Sequence, residues 1–279
     1  MSEVVYQGDV LPPRFSNRPN RSARALRPAE SASSTALAAS LADQFGALDL
    51  FERLAAIRAL ISGRIAFTTS FGLEDQDIAH AIFSQALAID VATLDTGRLF
   101  PETYDAWAET ERRYATRIRA FTPEHRSVEG LVARQGINGM RSSVAARLDC
   151  CAVRKVAPLA RILDGSTAWI TGIRAEQSAD RARLSPASFD KQRQLIKVNP
   201  LFDWTRERTL DFVRTHEVPY NRLHDRGFLS IGCAPCTRAV APGEPERAGR
   251  WWWEQTQTKE CGLHIADDGR AKRGTPPQL

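Results

Sequence analysis

From Arg64 the chain repeats one unit, a short apolar run followed by a polar loop and then an amphipathic stretch, and this repetition restricts the fold more than any other feature. Ile65–Thr69 reads as a buried strand, Ser70–Asp75 as its turn, and Gln76–Leu87 as a helix with Ile78 and Ile82 facing inward. The unit recurs at once. Ile89–Leu94 is a second strand, Asp95-Thr96-Gly97 its loop, and Pro101 opens a helix at a position where the missing N–H costs nothing. Arg117–Phe121, Ala168–Thr171 and Ile196–Val198 supply further strands, Asn199-Pro200-Leu201 a turn, and Thr205–His216 a helix with Leu210 and Val213 on its apolar side. Strand, loop and helix in succession predict an α/β fold: a doubly wound, mainly parallel sheet with helices on both faces and ligands at the strand C-terminal ends.

The flanks differ in texture. Residues 1–34 hold Pro12, Pro13, Pro19 and Pro28 among serines and arginines with almost no apolar period, which predicts a disordered arm. Two scaffold helices follow, the second marked by Asp49 as N-cap with Glu52 three residues on and by Leu50, Leu54, Ile57 and Ile61 on one face. Residues 35–250 then form the nucleotide- and metal-binding body, and 251–279 a mobile C-terminal segment. At 279 residues and 43% hydrophobic content there is material for one large core. There is no run of about eighteen apolar residues, so no membrane partner is expected. The N-terminus lacks the apolar stretch of a secretory signal, which predicts a cytoplasmic chain.

Three polar, glycine-bearing loops end three of these strands: Ser70-Phe71-Gly72-Leu73-Glu74-Asp75, Asp95-Thr96-Gly97, and Thr171-Gly172-Ile173-Arg174 with its extension Gln177–Arg181. Each alone is an ordinary βα turn. Together they would line one crevice, the expected nucleotide position in an open α/β sheet. No Gly-Lys-Ser/Thr follows the first loop, so it is not a Walker motif. The net charge of +5 does not call for nucleic acid, but arginines recur near the loops and cysteines, among them Arg154, Arg174, Arg181, Arg183, Arg238, Arg247 and Arg250, which suits a small polyanion.

Five cysteines in a reducing compartment argue for metal binding or catalysis rather than disulfides. Cys150 and Cys151 are adjacent, and Cys233 and Cys236 form a Cys-x-x-Cys pair. Four thiolates can hold zinc or an iron–sulfur cluster, and spacing alone does not choose; the adjacent pair departs from a zinc ribbon and favours a cluster. Cys261, between Lys259 and His264, is left over and is a candidate nucleophile. His264 either tunes that thiol or contacts substrate. His80, His125 and His216 read as structural, and His224 is undecided. Trp251, Trp252 and Trp253 cannot all face one way.

These motifs, with Leu94–Leu99, Cys150–Lys155, Gly232–Arg238 and Lys259-Glu260-Cys261-Gly262-Leu263-His264, resemble the adenylylsulfate/phosphoadenylylsulfate reductase family over roughly residues 60–265. The resemblance implies an adenine-nucleotide alpha-hydrolase-like fold and reduction of adenylylsulfate to sulfite and AMP through an S-sulfonated Cys261, in sulfate assimilation toward cysteine. It implies one [4Fe-4S] cluster on Cys150, Cys151, Cys233 and Cys236, since the double cysteine marks the cluster-bearing subgroup. Substrate binding would fall to Ser70, Gly72, Glu74, Asp75, Thr96, Gly97, Lys155, Gly172, Arg174, Arg181, Arg247, Arg250 and His264. Four cysteines committed to a cluster leave no resolving thiol, so thioredoxin or a similar dithiol protein is the expected partner. Plant relatives carry a fused thioredoxin-like domain; fifteen residues follow His264 here, so the donor is expected to be separate. Reduction of phosphoadenylylsulfate, or of both nucleotides, is the alternative. An ATP-dependent tRNA-thiolation enzyme would need a Ser-Gly-Gly-x-Asp-Ser loop, which Ser70-Phe71-Gly72 does not provide. Self-association is left open.

Overall fold

A computed structural model describes residues 28–254. Residues 1–27, and 255–279 with Cys261 and His264, lie outside the described residues, as does the mobility expected after Trp253.

Two helices, α1 (Pro28–Phe45) and α2 (Leu50–Leu60), precede the alternating core. Asp49 and Glu52 close the expected capping box, each side chain accepting the other's backbone N–H at 2.9 Å. The first helix begins at Pro28, so the boundary read after residue 34 falls inside it. Proline suits a helix's first turn, and Ala38, Leu41 and Phe45 give α1 a buried face that the short, serine-rich start does not announce.

The chain continues through β1 (Arg64–Thr69), α3 (Leu73–Ser84), β2 (Asp90–Leu94), α4 (Pro101–Arg113), β3 (Arg119–Phe121) and α5 (His125–Gln135). It proceeds through α6 (Val144–Cys151), a π-helical turn (Ala152–Val156), α7 (Ala157–Leu163), β4 (Ser166–Ile170), β5 (Ala187–Asp190), β6 (Leu195–Val198) and α8 (Arg206–Thr215). The strands form one sheet in the order β3-β2-β1-β4-β6-β5. All pairs are parallel except β5 with β6. The expected parallel sheet is therefore present, with one antiparallel edge strand that the sequence reading lacked.

Period-two alternation along β1 covers both faces of the sheet. Ile65 and Phe67 join Leu41, Phe45, Leu54, Ile78 and Ile82 in one core, while Ala66 meets Leu159, Ile162 and Trp169 in the other. Buried Arg53 locks the first core's rim: Nε donates to the Phe45 carbonyl and its two terminal nitrogens clasp Asp203 at 2.6 and 2.7 Å. None of the described helices is long and apolar enough to cross a membrane.

The chain runs outward from β1 to β2 and β3, then returns to place β4 on β1's other side. The loops beyond β1 and β4 thus diverge and leave a crevice at the strand C-terminal ends, where such a sheet takes its ligand.

Candidate active site

That crevice is a cleft of about 190 Å³. Thr68, Thr69 and Ser70 reach it from β1, Thr93 and Thr96 from β2, and Thr171 and Gly172 from β4. The three loops read from the sequence therefore meet. Their geometry follows from two local constraints. Phe71 takes a left-handed φ of 59°, uncommon for a bulky residue, and is held there by complete burial and stacking on Trp107 at 5.6 Å. At Gly172 any Cβ would lie 2.2 Å from Asp75 Oδ1, so only glycine lets the β4 loop close on that carboxylate.

The β1 loop differs from a phosphate cradle. Asp75 Oδ2 accepts hydrogen bonds from the Ser70 N–H at 2.6 Å and hydroxyl at 2.7 Å. Burial pushes the Asp75 carboxyl up to about 6 against those bonds. Glu74 is held below its ordinary value: burial would raise it, but Arg174 and its own backbone N–H outweigh that. Two carboxylates at the start of α3 suit the hydroxyls or amine of a nucleoside better than a phosphate.

Positive charge enters from elsewhere. Lys155, Arg181, Arg247 and Arg250 all line the cleft. Arg174, expected among them, does not. Its guanidinium is completely buried and saturated by carboxylates: Nε on Glu74 at 2.8 Å, Nη1 on Glu176 at 2.9 Å, and Nη2 on Glu246 at 3.0 and 2.9 Å. Through Glu246 it fastens the 241–250 loop, which brings Arg247 and Arg250, to the β4 loop. Gly97 is also displaced from expectation. With φ of +68° it turns the β2 loop toward a neighbouring hollow formed by Asp95, Thr96, His125, Glu129 and Arg154.

Beside the cleft lies a second cavity bordered by Cys150, Cys151, Cys233 and Cys236 together with Met140, Arg98, Arg147, Arg154, Lys155, Arg250 and Trp251. Cys150 and Cys151 end α6 just before the π-helical turn, an irregularity frequent at functional sites. None of the four is in a disulfide. Among the described residues no three of His, Cys, Asp and Glu gather closely enough to hold a single ion; the thiols surround a shared space. The two cavities share Cys233, Lys155, Arg250 and Trp251 in their walls, and the Thr96 hydroxyl lies 3.3 Å from Cys233 Sγ. Burial alone would raise the Cys233 thiol, yet Lys155, Thr96, Arg250 and Arg154 together hold it below its ordinary value. Burial and the nearby Cys233 push Cys236 up to about 11.

Two features of the wall escaped the sequence. His224, left undecided there, lines the cleft on the 3₁₀ turn Arg222–Arg226, capped by Asn221. Burial brings its imidazole down to about 4 although Glu74 works the other way, so the ring is neutral at pH 7. Glu246 both lines the cleft and holds Arg174. Trp251–Glu254, assigned to a mobile segment, are packed: Trp251 is buried between the Arg147 and Arg250 guanidinium groups, 4.5 and 4.7 Å from its ring centre. The apolar ring and its two cations find their partners only in the folded chain.

An open, mainly parallel α/β sheet with a cationic cleft at its switch point defines a nucleotide-type anion-binding protein whose site adjoins a cysteine-lined chamber. Residues 64–239 match the phosphoadenosine phosphosulfate reductase domain. This chain belongs to that family. It is 50% identical over 247 residues to the adenosine 5'-phosphosulfate reductase of Agrobacterium fabrum, covering 88% of this chain and 93% of the relative. The enzyme of that name from Allochromatium vinosum is 50% identical over 200 residues, 72% of this chain and 78% of its own. Among solved structures, the phosphoadenylyl-sulfate reductase of Candida auris in a phosphate complex aligns with a TM-score of 0.61 at 25% identity, over 72% of this chain and 95% of that one.

Proposed function

We propose that this chain reduces adenylylsulfate to sulfite and AMP, with Cys261 as nucleophile and a dithiol protein of the thioredoxin type as reductant. The carrying observation is the shared wall: the nucleotide-type cleft and the four-thiol chamber both use Lys155, Arg250 and Trp251, and Cys261 follows Trp251 by ten residues in the sequence. The names of the relatives from Agrobacterium fabrum and Allochromatium vinosum support the same substrate.

The Cys261 thiolate attacks the sulfur of adenylylsulfate. The S–O bond to phosphate breaks, AMP leaves with the electron pair, and a cysteine S-sulfonate remains. Lys155, Arg181, Arg247 and Arg250 offset the negative charge that would otherwise repel an attacking thiolate. Glu74 and Asp75 accept hydrogen bonds from the nucleoside. A reductant thiolate then attacks Cys261 Sγ and releases sulfite; the reductant's second thiolate closes its own disulfide and frees Cys261.

Cys150, Cys151, Cys233 and Cys236 are the residues that would hold a [4Fe-4S] cluster. A shared space walled by four cysteines, with Arg98, Arg147, Arg154, Lys155 and Arg250 to balance anionic charge, fits such a group. When bound, it would join α6 to the 233–236 turn through iron–thiolate bonds. Cytoplasmic location accords with the same chemistry.

Steady-state production of sulfite and AMP from adenylylsulfate with thioredoxin tests this reading. A kcat/KM for adenylylsulfate at least tenfold above that for phosphoadenylylsulfate is expected. Preference for the 3'-phosphorylated nucleotide, which the matched domain's name and the Candida auris relative carry, would reassign the substrate.

A further inference from the structure

Large apolar side chains stand exposed at six described positions, and four of them, Ile137, Val144, Leu148 and Trp252, belong to the segments 137–151 and 251–254, which also supply Met140, Arg147, Cys150, Cys151 and Trp251 to the chamber wall. Ile137 is 59% exposed, on the turn before α6. Val144 and Leu148 lie four residues apart and so share one face of α6. Arg141 joins these parts. Its guanidinium sits 5.3 Å from the Trp252 ring centre and 5.4 Å from that of Trp253, and it donates to the Pro235 carbonyl within the Cys-x-x-Cys turn at 3.0 Å. Arg98 fixes the other edge through the Ile137 carbonyl and the Asn138 side chain. The patch thus contains an aromatic anchor with an arginine held beside it, residue types enriched at interface centres.

From this we infer that the surface formed by Ile137, Arg141, Val144, Leu148 and Trp252 is the docking face for the dithiol protein that regenerates Cys261. The inference rests on the proposed function and adds the location of its second half-reaction. Chain length carries the argument. Cys261 is seven residues beyond Glu254, where the described chain ends, so its Cα stays within ~25 Å of Glu254 even when fully extended. A protein whose thiolate attacks Cys261 Sγ must therefore bring it within reach of that ~25 Å radius around Glu254, and a face beside Glu254 meets this at any extension of the segment. Trp252 is two residues from that point, so this patch offers an exposed apolar face there. Its charged border is Arg141 and the Arg134–Asp149 pair, which favours a partner with an apolar contact face and an acidic rim.

Two measurements separate this inference from the reading beneath it. Calorimetric titration of reduced thioredoxin compares wild type, the double variant Ile137→Glu/Val144→Glu, and Leu60→Glu as an exposed apolar site outside the patch. Intact mass after incubation with adenylylsulfate alone reports S-sulfonation in each. The expected result is a Kd for thioredoxin at least tenfold weaker in the double variant, an unchanged Kd in Leu60→Glu, and equal S-sulfonation in all three. Sulfite release from the S-sulfonated double variant by dithiothreitol stays within twofold of wild type. Equal Kd values, equal weakening in Leu60→Glu, or no measurable binding by wild type overturns the docking face. So does sedimentation showing that wild type self-associates and the double variant does not, because a second copy then occupies the patch. As a check on the wild-type protein alone, thioredoxin is expected to slow amide exchange over residues 137–148; exchange unchanged there contradicts the proposal. Absence of S-sulfonation in wild type overturns the functional reading, while the binding data still decide the surface.

Discussion

Arg147 Nε and Glu254 Oε1 meet at 2.5 Å with both side chains 3% exposed, joining the helix that ends in Cys150-Cys151 to the point from which the chain leaves toward Cys261. Removing one member of a buried pair costs about 3–5 kcal/mol, because the other charge stays behind, whereas an apolar replacement of both is often neutral. Glu254→Ala is therefore expected to lower unfolding stability by about that amount, and Arg147→Met/Glu254→Leu to recover most of it. Denaturant titration checks this. A double variant no more stable than the single one contradicts it.

The Arg174 clasp leads to a second expectation. Burial and Glu74 raise Glu246, with Arg174 opposing them; without the guanidinium, Glu74 and Glu246 repel across the cleft wall. Arg174→Ala should release the 241–250 loop, seen as faster amide exchange there, and weaken AMP binding at least tenfold through misplaced Arg247 and Arg250. Arg174→Lys rescues little, since one ammonium cannot serve three carboxylates in a planar fork. Weakened AMP binding with unchanged exchange over 241–250 would instead make Arg174 a direct ligand.

Much of this architecture is legible in the sequence, and the exceptions share a cause. β1, β2 and β4 are buried on both faces, so their apolar runs stand out, and the Asp49–Glu52 cap depends on two residues three apart. Strand β5 is short, lies at the edge and pairs only with β6, so no alternation marks it. Arg174 looks like a ligand contact because the carboxylates that occupy it lie at 74, 176 and 246. The packing of Trp251 similarly depends on Arg147, more than a hundred residues away. The cysteine pairing into one chamber was readable because only four thiols remain once Cys261 is set aside.

His80 and His216, read as unconnected structural residues, in fact lie with ring centres 4.8 Å apart, beside Phe51, Phe212 and Tyr114. Burial, then His216 and Arg113, bring His80 down to about 4 from an ordinary 6.5. Between those values the unfolded chain binds the extra proton, so this contribution to stability is complete above pH 6.5 and is lost as pH falls toward 4. The urea midpoint of wild type should decline more steeply over that window than that of His80→Phe, which keeps an aromatic ring. Parallel declines would contradict the assignment.

The most direct test of the whole account is a single turnover. The protein is incubated with adenylylsulfate radiolabelled on sulfur, without reductant, and its peptides are mapped. The account predicts one label per chain on Cys261, release of an equal amount of AMP, discharge of the label as sulfite by thioredoxin, and no label in Cys261→Ser. Label on Cys150, Cys151, Cys233 or Cys236, or sulfite formed by the Cys261→Ser variant, would contradict it.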